Sequence, residues 1–111
     1  MHFRLRSFIR VSIDSEINIK SGEVDFTAVL ANISLGGVFV NSIGQVPVAI
    51  GSLYTLTFEL PSSSSTNSVV VNAIALRGSG DGIAFRFIET DPQTLRLVFN
   101  YVYQEDGLVM G

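Results

Sequence analysis

Residues 54–60, YTLTFEL, alternate without a break. Tyr54, Leu56, Phe58 and Leu60 fall on one parity, Thr55, Thr57 and Glu59 on the other. Successive side chains of a strand face opposite ways, so this pattern marks a half-buried strand. The same period sets Val11, Ile13, Ile17 and Ile19 against Ser12, Asp14, Glu16, Asn18 and Lys20, after which Ser21-Gly22 turns the chain. Phe26, Ala28 and Leu30 predict a second strand ending near Asn32, and VFVNS (38–42) a short third one behind Gly36-Gly37. Gly44, Pro47 and Gly51 break up a loop. SVVVNAIALR (68–77) and GIAFRF (82–87) flank GSGDG, whose Asp81-Gly82 pair predicts a hairpin turn. PSSSSTNS (61–68) has almost nothing to pack and reads as a flexible hairpin loop, not a linker between domains.

The period changes after residue 90. Leu95, Val98, Phe99 and Val102 stand at i, i+3, i+4 and i+7, one face of a helix. Asp91 suits its N-cap, Pro92 its first position and Gly107 its end. The sum is five or six antiparallel strands and a closing helix, which points to a small barrel or strongly curled sheet.

Several functions are disfavoured at once. No run of about 18 apolar residues exists, so no membrane span is expected. The basic N-terminus lacks the apolar stretch of a signal peptide, because Asp14 and Glu16 follow too soon. Cysteine is absent, which removes disulfides and thiol chemistry and suits a reducing cytoplasm. The single histidine, His2, cannot by itself build a metal cluster or a catalytic triad. No nucleophile is paired with a base, so no enzyme is expected. A formal net charge of −3 repels nucleic acid, though a local basic patch can still hold a small anion. The opening methionine makes a stand-alone protein the expectation.

Such a patch is present. RLRSFIRVSI (4–13) carries Arg4, Arg6 and Arg10, three of the chain's seven basic residues. Phe8 and Ile9 between the last two give no helix signature, so an extended or looped arm is expected. There Arg6 and Arg10 stand about 13 Å apart on one face. Guanidinium forks bind phosphate at two points and match the O6 and N7 acceptors of guanine. The plainer alternative is surface arginines at a frayed terminus. The second stretch is NISLGGVFV (32–40). Asn32, Ser34 and Gly36 share one parity, Ile33 and Leu35 the other, and the glycines let a ligand approach the backbone closely. An ordinary turn uses the same residues. Arg77 and Arg86 flank the last hairpin, either extending the basic patch or simply facing solvent. GSGDG reads as that hairpin's turn, since no lysine and no helix follow it. Tyr101 and Tyr103 read as packing or interface groups on the helix.

Taken together, Arg6-Ser-Phe-Ile-Arg10 and the later Asn32-Ile-Ser34-Leu-Gly-Gly37 resemble the PilZ domain family. That family is marked by RxxxR near its start and by [D/N]xSxxG one strand later, and both patterns match at every defined position. The glycine and phenylalanine of its last hairpin have counterparts in Gly82 and Phe85. The resemblance implies an all-β fold with a C-terminal helix: a six-stranded antiparallel β-barrel over residues 13–90, a mobile arm over 1–12 and a helix over 91–106, in a single domain. It also implies that cyclic di-GMP is the ligand and that no other cofactor is needed. Arg6 and Arg10 would then hold phosphate and guanine. Asn32, Ser34 and Gly37, with Gly36 beside them, would line the barrel against one guanine and its ribose-phosphate. Asn32 offers one accepting oxygen where many members have an aspartate with two, which is expected to cost some affinity. Leu5 cannot donate to a second stacked nucleotide and Arg4 is near enough to do so; one nucleotide per chain is the expectation.

The expected role is a cytoplasmic receptor whose arm orders on ligand binding and which signals to a protein partner. The alternative is a PilZ-fold adaptor that binds no nucleotide, for instance in type IV pilus assembly. A barrel for single-stranded nucleic acid would want exposed aromatic rings on a basic face, but there is no tryptophan and most phenylalanines follow core parity.

Overall fold

The computed structural model describes residues 9–22, 24–41, 48–61, 66–79 and 82–105. Six strands and one helix follow one another: β1 (Val11–Ser21), β2 (Val24–Ile33), β3 (Gly37–Asn41), β4 (Leu53–Pro61), β5 (Thr66–Ser79), β6 (Gly82–Ile88) and α1 (Pro92–Glu105). The strands close into a barrel in the order β1-β2-β3-β6-β5-β4, every ladder antiparallel. The all-β barrel with a C-terminal helix is therefore the fold. The first strand already begins at Val11, two residues inside the expected arm. Residues 1–8 of that arm, the end of the helix near Gly107 and the 108–111 tail lie outside the described residues.

Alternation builds the core. Ile17, Ile19, Leu30, Ile33 and Leu56 are fully buried, and Phe58 and Phe85 nearly so. Each contributes about 1.5–3 kcal/mol by leaving water. Ile17 pairs with Phe58 and Ile19 with Leu56 where β1 meets β4 and closes the barrel. Tyr54 packs edge-on against Phe85, centroids 6.0 Å apart, and its hydroxyl accepts a 2.8 Å bond from the Ala49 N–H. A buried tyrosine with a satisfied oxygen costs the core little.

The alternation is broken in two places, one on each side of the β3–β6 pair. On β2, Phe26, Ala28 and Leu30 turn toward the core on even positions, but Ile33 does so on an odd one. The β2–β3 ladder runs from Leu30↔Val40 to Asn32↔Phe39, so Ala31 is an extra residue, and the β1–β2 ladder shifts at the same place, between Ser12 and Ser15. On the other side, the β5–β6 ladder runs from Ala75↔Phe85 to Arg77↔Ala84, which leaves Leu76 unpaired. Such bulges re-aim the side chains around them.

The helix is capped as its sequence predicts. The Thr94 N–H donates to Asp91 Oδ1 at 2.7 Å, and the Asp91 carbonyl accepts from the Leu95 N–H at 2.9 Å. Its buried face differs from expectation. Val98 and Val102 are buried, but Leu95 and Phe99 are 43% and 47% exposed, and Tyr101 is buried in their place. Leu97 and Tyr103 also pack on the core. The inward stripe is rotated by about one residue, because Leu97, Val98, Tyr101 and Val102 also satisfy the helical spacing. Phe99 instead stacks on Tyr103 along the surface, centroids 4.5 Å apart.

Candidate ligand-binding site

The two bulges face each other across β3 and β6, and a pocket of about 210 Å³ opens between them. Arg10, Asn32, Ser34, Gly36 and Gly37 all line it. These are the predicted site residues that fall within the described part of the chain; Arg4, Leu5 and Arg6 lie outside it. The opposite wall consists of Phe39, Leu76, Ala84 and Arg86.

Each position has a local cause. Arg10 is exposed one residue before β1, whose Val11 is buried and anchors it. Asn32 turns outward because the extra residue at Ala31 switches the parity of β2, and it then stands opposite Phe39. Ser34 opens a tight turn: its N–H donates to the Gly37 carbonyl at 2.9 Å, and its Oγ accepts from the Gly36 N–H at 3.2 Å. The same Oγ lies 3.4 Å from the Gly37 carbonyl, a long bond. The serine thus serves the turn first and keeps one lone pair for a donor on a ligand. The Gly36 carbonyl accepts from the Phe87 N–H at 2.9 Å, which pins the turn to β6.

The two glycines are unequal. A Cβ on Gly37 would collide with the Phe85 carbonyl oxygen, while one on Gly36 would meet nothing within 4 Å. Gly37 is required by the close approach of β3 and β6, whatever the site binds. Gly82 is under the same constraint on the partner strand, against the Val40 carbonyl.

Charge separates this pocket from two others. A cavity of about 290 Å³ beside β1 and β4 holds Glu16 and Glu59 and no described cation. One of about 340 Å³ holds Lys20 and Glu89. The 210 Å³ pocket holds two arginines and no described carboxylate, and is the one suited to an anion.

The PilZ domain family profile matches residues 4–104, nearly the whole chain. The chain belongs to the PilZ domain family. Solved structures agree on the PilZ fold. The inhibitor of motility of Bacillus subtilis (MotI/DgrA) superposes with a TM-score of 0.84 at 16% identity, covering 98% of this chain and 55% of that one. The chain thus spans about half the length of that protein. The PilZ domain with c-di-GMP of YcgR from Escherichia coli gives 0.73 at 17% identity, over 95% and 93% of the two chains. The PilZ domain of CeSA from a cellulose-synthesizing bacterium gives 0.60 at 16%, over 89% and 96%. Nothing among the curated proteins matches the chain. Among the described residues no helix is long and apolar enough to cross a membrane.

Arg86, Leu76 and Phe39 are lining residues that the motifs do not contain. A signal for them existed. Apolar parity breaks within β2, and Leu76 follows the alternating buried set Val69, Val71, Ala73 and Ala75 as a large apolar residue on the wrong parity. Arg77, the other candidate on that hairpin, is exposed and is not among the lining residues.

Proposed function

We propose that this PilZ domain is a cyclic di-GMP receptor that catalyses no reaction, works in the cytoplasm and signals through a protein partner. One observation carries the reading: the described members of both motifs, Arg10 from one and Asn32, Ser34, Gly36 and Gly37 from the other, line a single cationic pocket. Family membership supports it, as does the likeness to the PilZ domain with c-di-GMP of YcgR.

The pocket's size bears on mechanism. About 210 Å³ is below the roughly 300–1,000 Å³ that buries most of a drug-sized ligand. It suits one guanine with its adjoining phosphate. The rest of a molecule with two bases and two phosphates needs a second surface. The segment before Arg10 supplies Arg4 and Arg6, so in this reading the arm closes over the ligand with Arg6 and Arg10 as its cations. Ordering of the arm creates the surface that the partner reads.

Calorimetry with cyclic di-GMP tests this. Saturable heat at micromolar or lower concentration, weaker in higher salt, is expected. Arg10→Ala should weaken binding about tenfold or more, because a hydrogen bond to a charged group contributes about 1.5–3 kcal/mol. A folded protein that gives no heat at high concentration overturns the reading in favour of a nucleotide-free adaptor.

A further inference from the structure

The RxxxR and NxSxxG motifs account for only one side of the pocket. The other side is built by β6 and the bulged end of β5. Arg86 stands on β6 between the buried Phe85 and Phe87, so its side chain faces outward, and it pairs in register with Gly37. Neighbouring strands lie about 4.8 Å apart, so the Arg86 backbone is next to the turn that carries the motif. Leu76, the unpaired residue of the β5 bulge, is 47% exposed and also lines the pocket, with Ala84 between it and Phe39. A large apolar side chain held in the open at a bulge, next to an outward arginine, suits a flat, anionic ligand.

We propose that Arg86 is a third nucleotide-holding cation, facing Arg10 across the pocket, and that Leu76 covers the face of the base lodged there. This rests on the cyclic di-GMP reading above. Arg86 supplies a forked donor to a phosphate oxygen or to the O6 and N7 edge of guanine. Leu76 supplies apolar contact to the ring. Ala84, small and half-buried between them, leaves room for the ring plane. The consequence is that β6 contributes a cation to the pocket in addition to Arg10 just before β1.

Calorimetry with cyclic di-GMP on the full chain tests the proposal through four variants. Arg86→Ala should raise Kd about tenfold and flatten its salt dependence, and Arg86→Lys should recover only part of the loss, since the fork is gone. Arg96→Ala removes the same charge from the exposed surface of α1 and should leave Kd unchanged. Leu76→Trp places one tryptophan in a chain that has none, and its fluorescence should change saturably on titration. Arg86 and Leu76 both face outward, so these variants should keep the parent thermal midpoint. A parent that binds while Arg86→Ala binds equally well and Leu76→Trp stays silent overturns this inference and leaves the receptor reading standing. A parent that gives no heat overturns both.

Discussion

The barrel has a regular wall and an irregular one. Between β4 and β5, nine consecutive pairs run from Leu53↔Ile74 to Pro61↔Thr66 without a shift. The ladders of β2 with β1 and β3, and of β5 with β6, each shift once. The same strand, β5, is in register with one neighbour and bulged against the other. Strict alternation sends every second side chain inward and closes a core. A bulge interrupts that rule and turns particular residues, here Asn32 and Leu76, onto the outer face. Both walls bury core residues, and the irregular wall also carries the candidate site. The pocket at the regular wall is lined by Glu16 and Glu59, the one at the irregular wall by Arg10 and Arg86.

The contrast can be broken by substitution. On the regular wall, Phe58→Ala should cost the most. Phe58 is 2% exposed, and emptying such a site costs about 3–5 kcal/mol. Urea denaturation reads this directly, and a loss under about 1 kcal/mol would show that the barrel does not depend on this wall. On the irregular wall, Gly37→Ala should cost about 1–3 kcal/mol, because the new methyl group meets backbone at Phe85 that cannot swing away. Gly36→Ala should stay within about 0.5 kcal/mol, since open space surrounds it. Equal losses for the two glycines would mean that the β3–β6 approach is not the constraint.

Away from both walls, Asp91→Ala removes the helix N-cap, and its effect should depend on pH. The Thr94 backbone N–H, and then its side chain, hold the Asp91 carboxyl below the usual carboxylate range. A lowered folded-state pKa gives stability that is present above the unfolded value, about 3.9, and lost as pH falls through the folded value. Thermal melts should therefore show the variant below the parent at neutral pH and the gap narrowing in acid. A gap that widens in acid would contradict the cap.

Most of the fold was legible because alternation is a period-two signal that survives in sequence. The turn at Ser21-Gly22, the strand at 54–60 and the Asp91-Pro92 helix start all stand where the residues place them. The helix face was not, since Val98 and Val102 belong to two overlapping stripes and only packing against the barrel selects Tyr101 over Phe99. For the site, Arg10, Asn32, Ser34, Gly36 and Gly37 could be read as motif. Arg86 was legible only as one of two arginines flanking the last hairpin, and Leu76 only as an apolar residue out of parity, because strand pairing across 49 and 39 residues brings them to the pocket beside Gly37. Gly37 also shows how a motif glycine can have a packing reason that its spacing does not reveal.

On the receptor reading, the anion is held by the irregular wall. Titrating nitrogen-15-labelled protein with cyclic di-GMP and following the backbone amides tests it most directly. Saturable shifts should cluster at Arg10, Asn32 to Phe39 and Ala84 to Arg86, with Glu16, Asn18, Thr57 and Glu59 unmoved. Shifts confined to the β1–β4 side, or no shifts at all from a folded protein, would contradict it.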